Sequence, residues 1–155
     1  ATLHRAENTN DTMRLTEIID GLNSIHNELA PIVLPLHPRT KFIIDQANLK
    51  CNFYVIDPVG YFEMLGLLKK CQLVMTDSGG VQKEAFFFGK HCITMRDETE
   101  WVELVELGAN SIVGSSKVKM LEFTRKHYGR TVSDKRKIYG GGKASQLIAQ
   151  FLVGK

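Results

Sequence analysis

The stretch Thr76-Asp77-Ser78-Gly79-Gly80-Val81-Gln82-Lys83-Glu84-Ala85 gathers residue types that can hold a phosphate and a sugar. An apolar run, Leu73-Val74-Met75, precedes it, and a helix-like segment closing at Phe88-Gly89 follows. The order therefore reads strand, glycine turn, helix. Such a junction aims backbone N–H groups and the positive end of a helix dipole at one point, where an anion is stabilised. Gly79 and Gly80 lack the Cβ atoms that would hold an anion off, and Ser78 adds a hydroxyl donor. Glu84 lies about one and a half helical turns further on, where a carboxylate can accept hydrogen bonds from a sugar diol. Phosphate plus ribose is the ligand chemistry this points to. Short glycine motifs also mark β–α turns that bind nothing, and the local pattern leaves both readings open.

Other polar residues fall at similar places. His4 follows an extended start and precedes a polar turn, where an imidazole can contact a phosphate or move a proton, or serve only structure. Arg5 beside it can bridge to a carboxylate or bind an anion, and Glu7 fits the first turn of a helix. His37 and Arg39 stand in Pro35-Leu36-His37-Pro38-Arg39-Thr40, where Pro38 fixes the loop and favours a structural role for His37. Arg96 opens an acidic segment holding Asp97, Glu98 and Glu100, and Trp101 follows as either a stacking face or an anchor for its own helix.

Short β-branched runs alternating with amphipathic segments must position these residues. Asn10 or Asp11 caps a helix through about Leu29, with Ile18, Leu22, Ile25 and Leu29 on its apolar face, and Pro31 ends it. Strands are expected at residues 32–34, 53–56, 73–75, 92–95 and 111–113. Helices are expected after Pro38-Arg39-Thr40 to about Gln46, after the Asp57-Pro58 and Gly60 turn to about Lys70, at 82–88, at 100–107, after Ser115 or Ser116 to about His127, and at 143–153. This alternation predicts an α/β fold, a Rossmann-like doubly wound parallel sheet covered on both faces. Ligands sit at the carboxyl ends of the strands in such sheets. His4, His37, Asp57, Ser78 and Arg96 all follow an extended run, so one edge of the sheet should carry them all. Ala1-Thr2-Leu3 reads as the tail of a strand, so the chain is expected to be a fragment or an excised domain.

At 155 residues the chain is long enough for one domain with its own core. Its 43% hydrophobic and 24% charged content is ordinary for a soluble globular protein. No apolar run reaches membrane-spanning length and no signal peptide is visible, so no membrane partner is expected. The three cysteines, Cys51, Cys71 and Cys92, form no CxxC pair and have no histidine at metal-ligand spacing. No metal is expected, and a reducing cytoplasm fits. Net charge is only +3. The basic run Lys117, Lys119, Arg125, Lys126, Arg130, Lys135, Arg136, Lys137 and Lys143 reads as solvated helix faces, with a polyanion surface as the alternative. It lacks interleaved aromatics for base stacking, and no nucleic acid is expected.

Five motifs in order span nearly the whole chain: Thr2-Leu3-His4-Arg5-Ala6-Glu7-Asn8, Pro35-Leu36-His37-Pro38-Arg39-Thr40, residues 77–85, Arg96-Asp97-Glu98-Thr99-Glu100, and Tyr139-Gly140-Gly141-Gly142-Lys143-Ala144. In these the sequence resembles the C-terminal half of the non-hydrolysing UDP-N-acetylglucosamine 2-epimerases. The resemblance implies one half of a two-domain, GT-B-like architecture, with an N-terminal domain outside this chain and a homodimer for the complete protein. It implies that His4 is the active-site histidine, that Ser78, Gly79 and Gly80 cradle the diphosphate, and that Glu84 holds the ribose hydroxyls. It places uracil near Met64. Arg96 is a candidate substrate contact, and positions matching Arg5 and His37 help some bacterial relatives bind a second, activating sugar nucleotide.

The chemistry so implied is elimination of UDP to a glycal-type intermediate with a C1–C2 double bond. UDP then adds back with the opposite configuration at C2. No nicotinamide or other cofactor is needed, and the proton-moving carboxylates belong mainly to the N-terminal domain. Many relatives read Thr-Glu-Arg-Pro-Glu where this chain has Thr99-Glu100-Trp101-Val102-Glu103. Trp101 in place of arginine points to a modified sugar, with a 2,3-diacetamido uronic acid as one candidate. The alternatives are the nucleotide-binding half of a UDP-sugar glycosyltransferase and a non-catalytic nucleotide-sugar binding module.

Overall fold

Asp11 sets the start of the longest helix. Its carboxylate accepts hydrogen bonds from the N–H groups of Met13 and Arg14 at 2.9 and 3.1 Å, satisfying donors that the first helical turn cannot pair. The computed structural model describes residues 1–134 and 137–154. Lys135 and Arg136, part of the basic run, lie outside the described residues. In chain order the elements are α1 (Ala6–Thr9), α2 (Thr12–Glu28), β1 (Val33–Pro35), α3 (Pro38–Gln46), β2 (Tyr54–Ile56), α4 (Tyr61–Lys70) and β3 (Val74–Thr76). There follow α5 (Gly79–Phe87), β4 (Cys92–Thr94), α6 (Val102–Glu106), β5 (Asn110–Ile112), α7 (Lys117–His127), a 3-10 turn (Gly140–Gly142) and α8 (Ala144–Leu152).

All strand pairings are parallel: β1 with β2, and β3 with β4 with β5. Residues 1–3 run between the two pieces. The Thr2 N–H donates to the Met75 carbonyl at 2.9 Å, Thr2 bridges Thr76, and the Ala1 amino group donates to the Val33 carbonyl at 2.7 Å. Across the molecule the order is thus β2, β1, residues 1–3, β3, β4, β5. The chain reverses its winding between residues 1–3 and β3, which is the switch point where doubly wound sheets open a crevice. The single sheet expected from the sequence is split because residues 1–3 contribute one bridge rather than a ladder.

One face is covered by α2, α3 and α7, whose Leu15, Ile18, Ile19, Leu22, Ile25, Ile44 and Met120 pack on Leu34, Met75, Ile93 and Val113. On the other face α4 and α5 pack through Leu68 and Ala85 on Val74 and Cys92, and α6 joins through Leu104 against Phe86 and Ala109. Cys92 is fully buried, and that burial pushes its thiol up to about 12, the behaviour of a small apolar side chain. Strand β2 differs from the others. Tyr54 and Val55 are exposed, because β2 is an edge strand. No helix among the described residues is long and apolar enough to cross a membrane.

Candidate active site at the carboxyl edge of the sheet

Asp77 closes β3 and is fully buried. Its carboxylate accepts from the His4 N–H at 3.0 Å, the Arg5 N–H at 2.8 Å and the Asn8 side-chain amide at 3.3 Å. A buried carboxylate needs such donors, and here they come from the turn after residues 1–3. His4 Nδ1 lies 3.3 Å from Asp77 Oδ1, with the His4 side chain half exposed. The tautomer that donates from Nδ1 leaves Nε2 free to accept a proton or a hydrogen bond. Asp77 therefore holds His4 by its backbone N–H and lies against its ring.

The next residue, Ser78, caps α5. Its hydroxyl accepts from the Val81 N–H at 3.5 Å, and its own N–H donates to the Thr76 hydroxyl at 2.9 Å. The helix begins at Gly79, three residues before the start expected from the sequence, because the Ser78 cap lets both glycines enter its first turn. Among the described residues the N–H groups of Gly79 and Gly80 have no hydrogen-bond partner. A Cβ on Gly80 would meet nothing nearer than the Ser78 hydroxyl at 3.9 Å, whereas one on Gly79 would overlap the Glu100 carboxylate. Two unpaired donors, a hydroxyl and a helix N-terminus thus gather at one corner with open space beside Gly80, an arrangement suited to an anion.

The loop after β4 closes this corner. Arg96 pairs with Glu7 at 3.3 Å and with Glu100 at 2.7 Å, which joins α1 to the α5 terminus. Its own backbone N–H holds Glu100 below the usual carboxylate range, and Arg96 adds to this against the cost of burial. Thr99 donates to Gln82 Oε1 at 2.6 Å and the Trp101 indole N–H donates to the Gly79 carbonyl at 2.8 Å. One face of the Trp101 ring lies under the Lys83 ammonium, 4.2 Å from the ring centre.

The remaining candidates are more dispersed. Glu84 lies in the second turn of α5, half buried and outside every ion pair recorded among the described residues. Met64 lies in α4 and packs with the α4–α5 cluster. It also lines an apolar cavity of about 370 Å³ together with Pro35, Leu68, Val74 and Val81. That cavity is lined mostly by apolar residues and takes in Pro31, Ile32, Gln72 and Leu73, which lead into β1 and β3. His37 caps α3, its Nδ1 accepting from the Arg39 N–H at 3.3 Å. Arg5 caps α1 through its backbone, and its side chain is exposed. His4, Ser78, Gly79, Gly80, Arg96 and Trp101 share one corner, linked through Asp77, Glu7 and Glu100. His37 belongs to the neighbouring β1 end.

The chain matches the family model of UDP-N-acetylglucosamine 2-epimerase over residues 1–153. It belongs to that family. It is 59% identical over 153 residues to a UDP-2,3-diacetamido-2,3-dideoxy-D-glucuronate 2-epimerase of Pseudomonas aeruginosa, covering 99% of this chain and 43% of the relative. A UDP-N-acetylglucosamine 2-epimerase of Methanocaldococcus jannaschii is 40% identical over 159 residues, covering 98% of this chain and 43% of that protein. The structure of a UDP-GlcNAc 2-epimerase from the same archaeon superposes with a TM-score of 0.84 at 40% identity, over 99% of this chain and 45% of the other. Its complex with UDP-GlcNAc and UDP superposes with a TM-score of 0.81 at 37% identity, over 99% and 44%. The chain thus spans under half the length of the relatives it matches.

In this epimerase-family chain Asp77, Glu7 and Glu100 stand within or beside the motifs read from the sequence, but only the structure shows them linking the corner. Asp77 carried a visible signal: a lone carboxylate between a buried strand and a glycine turn must find donors from elsewhere. Glu7 and Glu100 carried none, because their convergence on Arg96 is tertiary.

Proposed function

We propose that this chain is the C-terminal, UDP-binding portion of a two-domain, GT-B-like UDP-sugar 2-epimerase, an isomerase. The observation that carries this reading is the corner at the α5 terminus, where the unpaired N–H groups of Gly79 and Gly80 and the Ser78 hydroxyl converge within reach of the Arg96 network. In this reading those donors hold the diphosphate, Glu84 holds the ribose and Met64 borders the uracil. Fixed donors stabilise charge that develops on the departing diphosphate without reorganising. Arg96 adds a cation once it exchanges Glu100 for phosphate oxygen. His4, held by Asp77, faces the same corner with Nε2 free, placed to assist the leaving group or to move a proton.

UDP leaves C1 as the C2 proton is removed, and it returns after C2 is reprotonated on the other face. The carboxylates that move that proton lie in the N-terminal domain. A grip that outlasts the elimination prevents loss of the glycal. The 59% relative's name favours a UDP-2,3-diacetamido uronic acid as substrate over UDP-GlcNAc. A cytoplasmic setting suits the free Cys51, Cys71 and Cys92, and the complete protein is read as a homodimer, which light scattering checks.

The test has two stages. UDP titrated calorimetrically into the protein should bind, and Glu84→Ala should abolish or strongly weaken that binding. The complete protein, incubated with each UDP-sugar in deuterated water, should exchange the C2 proton and produce the manno epimer without any acceptor. Transfer to an acceptor with no C2 exchange would replace this reading with a glycosyltransferase.

A further inference from the structure

The ring of Trp101 sits in a chain of contacts that ends on the first peptide of α5. Its indole N–H donates to the Gly79 carbonyl at 2.8 Å. The Lys83 ammonium lies 4.2 Å from the centre of the Trp101 ring and 4.3 Å from that of Tyr139, so one cation is held between two π faces. The Tyr139 hydroxyl in turn donates to Glu103 Oε1 at 2.6 Å. A trans peptide places its C=O and N–H on opposite sides. Holding the Gly79 carbonyl therefore sets the direction of the Gly80 N–H, which has no protein partner among the described residues, and a side chain added at Gly80 would find open space.

We propose that Trp101, steadied by Lys83 and Tyr139, is a positioning residue that aims the Gly80 N–H at the diphosphate of the bound nucleotide. This rests on the reading of residues 78–80 as the diphosphate cradle. It gives Trp101 a role away from the sugar. With one ring face under Lys83 and the N–H engaged, the indole acts on the ligand through Gly79 and Gly80. The cost of losing it should therefore fall on the diphosphate and spare the nucleoside.

Calorimetric titration of the protein with UDP and with uridine tests this. Trp101→Phe keeps a ring face for Lys83 and removes only the donor. UDP affinity should fall about five- to tenfold, the worth of one hydrogen bond, while uridine affinity and the unfolding midpoint stay where they were. Lys83→Met should reproduce a smaller loss of the same kind, and Lys83→Arg should restore it. Unchanged UDP affinity in Trp101→Phe, or an equal fall for UDP and uridine, would overturn the proposal. Gly80→Ala separates this from the reading beneath it. If Gly80→Ala weakens UDP and Trp101→Phe does not, the cradle stands and the positioning role fails. If neither does, the cradle assignment itself fails.

Discussion

Gly79 and Gly80 are neighbours with opposite surroundings. A Cβ on Gly79 would overlap the Glu100 carboxylate, which Arg96 holds in place, while a Cβ on Gly80 would enter open space. Gly79→Ala should therefore destabilise the fold by about 1–3 kcal/mol, the usual cost of overpacking. Gly80→Ala should leave the denaturation midpoint unchanged or slightly raised, since alanine favours helix, yet weaken UDP binding. Chemical denaturation and UDP titration of the two variants together read the difference. Asp77→Asn offers a second contrast. The amide keeps one acceptor but turns donors toward the N–H groups of His4 and Arg5, so roughly 2–3 kcal/mol of stability should go with the charge-assisted bonds. In the complete enzyme kcat should fall more than KM rises, because His4 loses its orientation. Steady-state kinetics read that split.

Among the elements, the residue just before β4 and the last residue of α7 meet as an unusual pair. The rings of His91 and His127 stack 3.7 Å apart and 5° from parallel, and His91 Nε2 lies 3.0 Å from the Ser111 hydroxyl. Burial, reinforced by His127, Lys126 and Arg130, pushes His91 from 6.5 down to about 4. The folded state therefore holds fewer protons than the unfolded state between those values. Stability is complete above about pH 6.5 and is lost as pH falls toward 4, by an amount on the order of 2–3 kcal/mol. Urea titrations at pH 7 and pH 4.5 should show the drop, and His91→Phe should flatten it. Most elements were legible in the sequence to within two or three residues, because strands such as β1 and β2 are apolar runs and α2 and α7 carry a cap or a stop at Asp11, Ser116 or Pro31. Helix α1 has no side-chain cap and β5 opens on the polar Asn110-Ser111. The sequence puts the start of α5 at Gln82, since glycines argue against helix, and the Ser78 cap moves it to Gly79. The split of the sheet at residues 1–3 was not legible, because a single bridge leaves no periodic signal. Of the site, the residue types around Ser78 were readable. The pairing of Trp101 with Gly79 and of Arg96 with Glu7 joins residues too distant in sequence to read.

Across the whole molecule, α8 stands apart. Leu147, Ile148, Phe151, Leu152 and Val153 are all exposed, Phe151 at 86%, and the chain spans under half the length of its relatives. On the proposed architecture this apolar face meets the other domain. The chain alone should self-associate with rising concentration, and Phe151→Ser with Leu152→Ser should abolish that without lowering the unfolding midpoint. Analytical ultracentrifugation with a thermal scan checks both halves. Helix α8 is reached through Gly140, Gly141 and Gly142, all at positive φ, immediately after Tyr139 is anchored on Glu103 and Lys83. That arrangement is a pivot set directly beyond a fixed post. Swinging α8 changes torsions that glycine adopts freely, and the post need not move. The two events, docking of α8 and gripping of nucleotide, should then share almost no coupling free energy, and each affinity should be blind to the other. On the proposed architecture, the two halves would open and close without loosening the grip on the nucleotide.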